Sequence, residues 1–164
     1  PEPHDVNFLL ERSEDLYRRA CDTSISMIFD LTPGLPKALV DATSFEAAIL
    51  NLVVNSRDAM FASGEIVIST EMNNSAAPPE MQHAESDYVC ITVSDNGIGM
   101  SAETCERATE PFFTTKEVGK GSGLGLSQVY GFAKQSGGFV HLSSVVGKGT
   151  RISICLPAIV DRSP

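Results

Sequence analysis

The sequence predicts an α+β domain, a two-layer α/β sandwich with helices on one face of a mixed, mostly antiparallel sheet. Three observations lead there. The runs "SISMIFDL", "EIVISTEM", "DYVCITVSD" and the closing "GFVHLSSVV-GKG-TRISICLP" are rich in β-branched residues and read as strands. "FEAAILNLVVNSRDAM" and "GLGLSQVYGFAKQSGG" carry apolar residues at helical spacing. Most strands follow one another without the helical crossovers of a parallel α/β protein. The chain has 164 residues, 42% of them hydrophobic, enough for one domain with a proper core.

In chain order, residues 6–21 read as an amphipathic helix bearing Leu9, Leu10 and Leu16. Ser24–Leu31 is expected as a strand, "TPGLP" as a turn and "KALVDA" as a second short strand. Thr43 or Ser44 can cap the helix Phe45–Met60, and "ASG" would end it with a glycine just past the last turn. Two strand-like runs flank a polar, proline-bearing loop, "NNSAAPPEMQHAES". From Asn96 to Ser122 no clear period appears, apart from a short helix expected near Ser101–Arg107; so long a segment inside a domain reads as a mobile functional lid. A helix bearing Leu126, Val129, Tyr130 and Ala133 stops at Gly137, and a hairpin with Gly147 and Gly149 in its turn closes the chain.

A formal net charge of −9 argues against nucleic acid as a main partner, which would reward a basic face. An anionic ligand would need backbone amides, a few lysines or a divalent cation beside it. No apolar run approaches the roughly 20 residues that span a bilayer. The polar, acidic opening is not expected to be a signal peptide. Cys21, Cys90, Cys105 and Cys155 are scattered, with no CxxC pair. That spacing is expected of reduced structural thiols, not of a disulfide framework or a zinc site.

Four constellations carry chemistry. On the helix Phe45–Met60, Asn51, Asn55 and Asp58 form a polar stripe opposite Phe45, Ile49, Leu52 and Val53. Asparagine is a poor helix former, and its oxygen suits a hard cation. "DNGIGM" places Asp95 at a strand end beside Gly97 and Gly99, where a carboxylate can accept from an exocyclic amine and a flat ring can approach the backbone. "TEPFFTTK" sets Phe112, Phe113 and Lys116 in the lid, an apolar pair suited to contact with another domain or with the core. "GKGSGLGLSQVYG" is a glycine-rich loop running into a helix, an anion site by its free amides and helix dipole. It matches neither the Walker A spacing nor the dinucleotide fingerprint.

These residues resemble, in order, the N box, first glycine box, F box and second glycine box of the catalytic ATP-binding domain of bacterial sensor histidine kinases. That family shares its ATP-binding (Bergerat) fold with gyrase, heat-shock chaperone and mismatch-repair ATPases. The resemblance covers Phe45 to about Leu126, its flanking strands fit out to Pro157, and FFTTK points to the kinases. It implies ATP and Mg²⁺ as cofactors, with Asn55 on the metal and Asn51 assisting one turn earlier. Asp95 would receive the adenine amino group, with Gly97 and Gly99 leaving room for the base and Met100 beside them. Phe113, Lys116, Lys120, Gly121, Ser122, Gly123, Leu124, Gly125 and Leu126 complete the nucleotide-binding set. Asp58 belongs to the same set, standing where many sensor kinases carry a lysine near the phosphates. Arg57 lies off the asparagine stripe and is not assigned to nucleotide.

The hydrolysing relatives place a glutamate where this chain has Asn51, and an amide cannot take a proton from water. The resemblance therefore implies a protein-histidine kinase of a two-component system that holds ATP for another acceptor; the alternative is an ATP-hydrolysing switch of the same superfamily. His4, His83 and His141 lack the helical context of a phosphoacceptor. The expected partners are thus a phosphoacceptor-histidine dimerisation domain of the same protein and a downstream response regulator. Residues 1–22 would be the end of the dimerisation helix and its linker, 23–160 the ATP-binding domain and 161–164 a tail. The domain is expected to be cytoplasmic, without direct membrane contact, whether or not its parent is anchored.

Overall fold

The computed structural model describes residues 1–21, 23–60, 63–73, 87–101, 103 and 125–159. Its strands are β1 (Glu2–His4), β2 (Ile25–Leu31), β3 (Ala38–Val40), β4 (Gly64–Asn73), β5 (Tyr88–Asp95), β6 (Phe139–Val145) and β7 (Gly149–Pro157). Its helices are α1 (Val6–Arg12), α2 (Glu14–Arg19), α3 (Ala42–Asp58) and α4 (Gly125–Gln135).

The main sheet runs β2-β4-β5-β7-β6, and a two-stranded sheet pairs β1 with β3. Only β2 and β4 are parallel, because α3 carries the chain between them; the other pairs in the main sheet are antiparallel. The expected mixed sheet and two-layer fold are present. On β5, Val89, Ile91 and Val93 belong to the main core with Ile66 and Ile68 of β4 and Ile152, Ile154 and Leu156 of β7. Tyr88 and Cys90 face the other way, in a small cluster with Phe139 and Cys155. The period-2 alternation thus assigns the two faces of the sheet.

Helix α3 lies across the first face because its buried residues, Phe45, Ala48, Ile49, Leu52, Val53 and Ser56, form one stripe. Burying each of the large ones is worth about 1.5–3 kcal/mol. The helix is capped by Asp41, whose carboxylate accepts from Thr43 N at 2.9 Å and Ser44 N at 3.3 Å, not by Thr43 or Ser44 as expected. The acid sits at the extended position before the first turn, and the two hydroxyl residues supply the amides it satisfies. The C-terminal expectation is corrected too: the helix ends at Asp58 with Ala59 as cap, and Gly64 opens β4 instead of ending the helix.

The N-terminal segment differs from expectation. Its single helix breaks at Ser13 into α1 and α2. Val6, Leu9, Leu10 and Tyr17 are buried in the core shared with α3 and the sheet, while Leu16 is exposed. Polar bonds fasten it: Ser13 Oγ donates to Glu46 Oε2 at 2.5 Å, and Arg18 Nη1 donates to Met27 O at 2.9 Å while stacking over Phe29. Asn7 Nδ2 donates to Thr32 O at 2.7 Å and Asn7 Oδ1 accepts from Thr70 Oγ1 at 2.8 Å, joining α1 to the ends of β2 and β4. Val6, Leu9, Leu10 and Tyr17 thus seat α1 and α2 on the core formed by α3 and the sheet. The 161–164 tail lies outside the described residues.

The cysteines bring a further correction. Cys90 and Cys155 are direct cross-strand partners on β5 and β7, Cα atoms 4.1 Å apart, and are joined as a disulfide. Close opposition on neighbouring antiparallel strands brings the sulfurs together, which a 65-residue separation hides in the sequence. Cys21 is a free thiol whose burial pushes its pKa up. No described helix is long and apolar enough to cross a membrane.

Candidate functional site

Three segments converge at one end of the sandwich: the last turns of α3, the loop after β5, and the β6–β7 hairpin. Asp95 ends β5 at 9% exposure, buried for a carboxylate. One of its oxygens accepts from Gly97 N at 2.9 Å, closing a tight Asx turn. Among the described residues no other side chain or amide bonds this carboxylate, leaving acceptor capacity for a ligand. Thr150 is its direct partner across to β7, so both side chains stand on the helix-covered face.

The loop after Asp95 is held on both sides. Ile98 N donates to Ala59 O at 3.0 Å, at the end of α3, and Gly147 N donates to Ile98 O at 2.7 Å from the hairpin. Met100 N donates to Ser144 Oγ at 2.7 Å, and Ser144 Oγ in turn donates to Gly149 O at 3.0 Å and lies 2.8 Å from Thr150 Oγ1. Asn96 Oδ1 accepts from Glu65 N at 2.8 Å, tying the loop to the start of β4. The two glycines serve this packing. A Cβ on Gly97 would lie 2.6 Å from Ala59 O. Gly99 has φ +71°, and a Cβ there would overlap the Val145 carbonyl. The two glycines thus let the backbones of the loop, the end of α3 and the hairpin meet.

Helix α3 projects Asn51 and Asn55 toward α4. Asn51 Nδ2 donates to Gln128 Oε1 at 3.0 Å. Asn55 lies against Gly125, the first residue of α4, where a Cβ would come 3.4 Å from Asn55 Nδ2. Leu126 packs on the core. Asp58 is engaged sideways: its Oδ1 accepts from Arg57 Nε at 3.2 Å and Nη2 at 3.1 Å. Arg57 meanwhile donates through Nη1 to Ala20 O at 3.0 Å, so this pair links α3 to the end of α2. Among the described residues no three His, Cys, Asp or Glu side chains cluster for a metal.

Asp95, Gly97, Gly99 and Met100 therefore lie in a loop held against the C-terminal end of α3, while Asn51, Asn55 and Gly125 lie along the contact of α3 with the start of α4. Phe112, Phe113, Lys116, Lys120, Gly121, Ser122, Gly123 and Leu124, with most of the expected lid and the short helix within it, lie outside the described residues. His141 is exposed on β6. The sequence reading missed Thr150, Ser144 and Gln128. Thr150 was detectable in principle, since pairing the hairpin with β5 sets it opposite Asp95. Gln128 had no signal, because its partner is 77 residues away.

The family model for histidine kinase-, DNA gyrase B- and HSP90-like ATPases matches residues 40–159. The chain is 42% identical to the sensor kinase CckA of Brucella abortus (strain 2308) over 98% of its own length and 17% of that protein's. It is 32% identical to the sensor histidine kinase ZraS of Escherichia coli O157:H7, over 96% of this chain and 32% of ZraS. The chain thus spans about a third or less of these two relatives. The mycobacterial sensor histidine kinase MprB superposes with a TM-score of 0.76 at 23% identity, covering 96% of this chain and 97% of that one. Full-length ShkA, solved in complex with AMPPNP, superposes with a TM-score of 0.75 at 22% identity, over 96% of this chain and 31% of ShkA. The fold, the placed motifs and these likenesses agree: the chain belongs to the histidine kinase-, DNA gyrase B- and HSP90-like ATPase family, as an ATP-binding domain of the sensor histidine kinase type.

Proposed function

We propose that this domain holds Mg²⁺–ATP and hands the γ-phosphoryl group to a histidine on a separate helical domain, from which a response regulator takes it. The observation that carries the proposal is the buried Asp95 carboxylate, with one oxygen used by Gly97 and Thr150 at its side. In this role Asp95 accepts a hydrogen bond from the adenine amino group, a donor that guanine lacks at that position. AMPPNP in the ShkA neighbour supports an adenine nucleotide as ligand.

The amide oxygens of Asn51 and Asn55 suit a hard cation, and the phosphates supply further oxygen ligands. Asn55 is the residue that would hold Mg²⁺. When bound, the metal neutralises charge on the phosphate oxygens, which with positioning is most of what phosphoryl transfer requires. Asn51 contributes a fixed dipole and accepts no proton, so the site does not activate water. The glycine-rich stretch Gly119–Gly125, leading into α4, would offer amides to the phosphates, with Lys116 or Lys120 adding charge. Phe112 and Phe113 would dock the domain on its histidine-bearing helices. The domain would work where ATP is abundant, on the cytoplasmic side of any anchor its parent has.

The test supplies the helical histidine domain in trans with γ-labelled ATP. Acid-labile, base-stable phosphohistidine on the helical domain is expected, and it should disappear with Asn55→Ala. Steady phosphate release without any phosphohistidine would instead establish the hydrolysing switch.

A further inference from the structure

Helices α3 and α4 meet along an antiparallel seam that leads to the site. Phe45 contacts Phe132 edge to face, ring centroids 6.2 Å apart. Asn51 then bonds Gln128, and Asn55 abuts Gly125. Each step forward on α3 is a step back on α4, so the Asn51–Gln128 bond sits in register between two packing contacts. The last two rungs lie at the asparagines assigned to the phosphates and metal.

A side-chain amide whose NH₂ group is engaged presents its carbonyl oxygen to whatever else approaches; turned over, it presents a donor instead. We infer that Gln128 is a positioning residue for phosphoryl transfer: its Oε1 accepts from Asn51 Nδ2, which leaves Asn51 Oδ1 as the end offered to the ligand, and the bond ties Asn51 to the seat of α4. This rests on the ATP-site assignment above. Because α4 begins at Gly125, immediately after the glycine-rich stretch, a movement of its first turn carries Gln128 and thereby reorients Asn51. Gln128 acts here through Asn51, its hydrogen-bond partner.

Three substitutions at this exposed position separate acceptor chemistry from packing, made in a kinase chain that joins this domain to its histidine-bearing helices. Gln128→Met keeps the length and loses the amide; kcat for histidine phosphorylation is expected to fall about tenfold, with KM for ATP and the melting temperature unchanged. Gln128→Glu keeps an acceptor in place and should hold kcat within about threefold of the parent. Gln128→Lys offers only donors, turns the Asn51 amide over and should fall with Met. Equal kcat in all three, or a loss in Met matched by lower melting temperature or weaker ATP binding, would overturn the inference while leaving the ATP site standing. Failure of the unsubstituted chain to bind Mg²⁺–ATP would overturn both.

Discussion

Replacing Gly99 with alanine tests whether the loop after Asp95 is set by protein contacts. At φ +71° a side chain is strained by about 1–2 kcal/mol. The added methyl also overlaps the Val145 carbonyl, which belongs to the hairpin backbone and cannot rotate away. Overpacking of this kind costs about 1–3 kcal/mol more, giving about 2–5 kcal/mol in all. Gly147 is the control. It has φ +81° in the facing hairpin but nothing within 4 Å of its would-be Cβ, so only the strain of about 1–2 kcal/mol applies. Urea unfolding of the two variants should therefore differ by about 1–3 kcal/mol, with unchanged m-values. Adenine-nucleotide affinity should fall further in Gly99→Ala, because relieving the overlap shifts the chain next to Asp95. Equal unfolding free energies for the two variants would refute the contact account, leaving conformational strain alone.

Other outcomes follow from features elsewhere in the fold and from Asn51. The Cys90–Cys155 bond closes a loop over a 65-residue separation, for which the chain-entropy model gives about 4 kcal/mol. Dithiothreitol, or Cys155→Ser, should lower the unfolding free energy by about 2–4 kcal/mol, and peptide mapping before reduction should recover the linked pair. Tyr17 is fully buried, and its hydroxyl has no hydrogen-bond partner among the described residues. Tyr17→Phe should stabilise the fold by about 1 kcal/mol in a neutral-pH melt. Burial, reinforced by Glu46, pushes the Tyr17 pKa well above its ordinary 10.0. The native state therefore keeps a proton that the unfolded chain releases above that value, so stability falls as pH rises past about 10. Tyr17→Phe should flatten that alkaline loss; an unchanged pH profile would exclude Tyr17 as its source. Asn51→Glu restores a proton acceptor and should raise ATP hydrolysis by the domain, measured as phosphate release; no increase would mean that water is excluded by something other than the missing base.

What was legible in the sequence were features that repeat or sit close together. The β-branched content of "DYVCITVSD" marked β5 as a strand, and the apolar stripe of "FEAAILNLVV" marked the buried side of α3. The N-box asparagines and "DNGIGM" were also visible, because their chemistry is local. Features that depend on distant partners were hidden. Residues 6–21 read as one amphipathic helix because nothing local reports that Ser13 reaches Glu46 or that Tyr17 turns inward. Cys90 and Cys155 looked unrelated until strand register set them opposite one another. The N-cap was misplaced by two or three residues for a smaller reason: aspartate, threonine and serine all suit that position, and only the backbone chooses. The glycines of "DNGIGM" were visible as places of close approach, but nothing local reports that Ala59 and Val145 are the protein neighbours pressed against them.

The most direct measurement is isothermal titration of Mg²⁺–ATP into this chain and into Asp95→Asn, with GTP as the parallel ligand. Micromolar binding of ATP by the parent, weakened at least tenfold by the single amide and absent for GTP, is the predicted result. Undiminished ATP affinity in Asp95→Asn, or GTP bound as tightly as ATP, would contradict the assignment of this carboxylate to the adenine base.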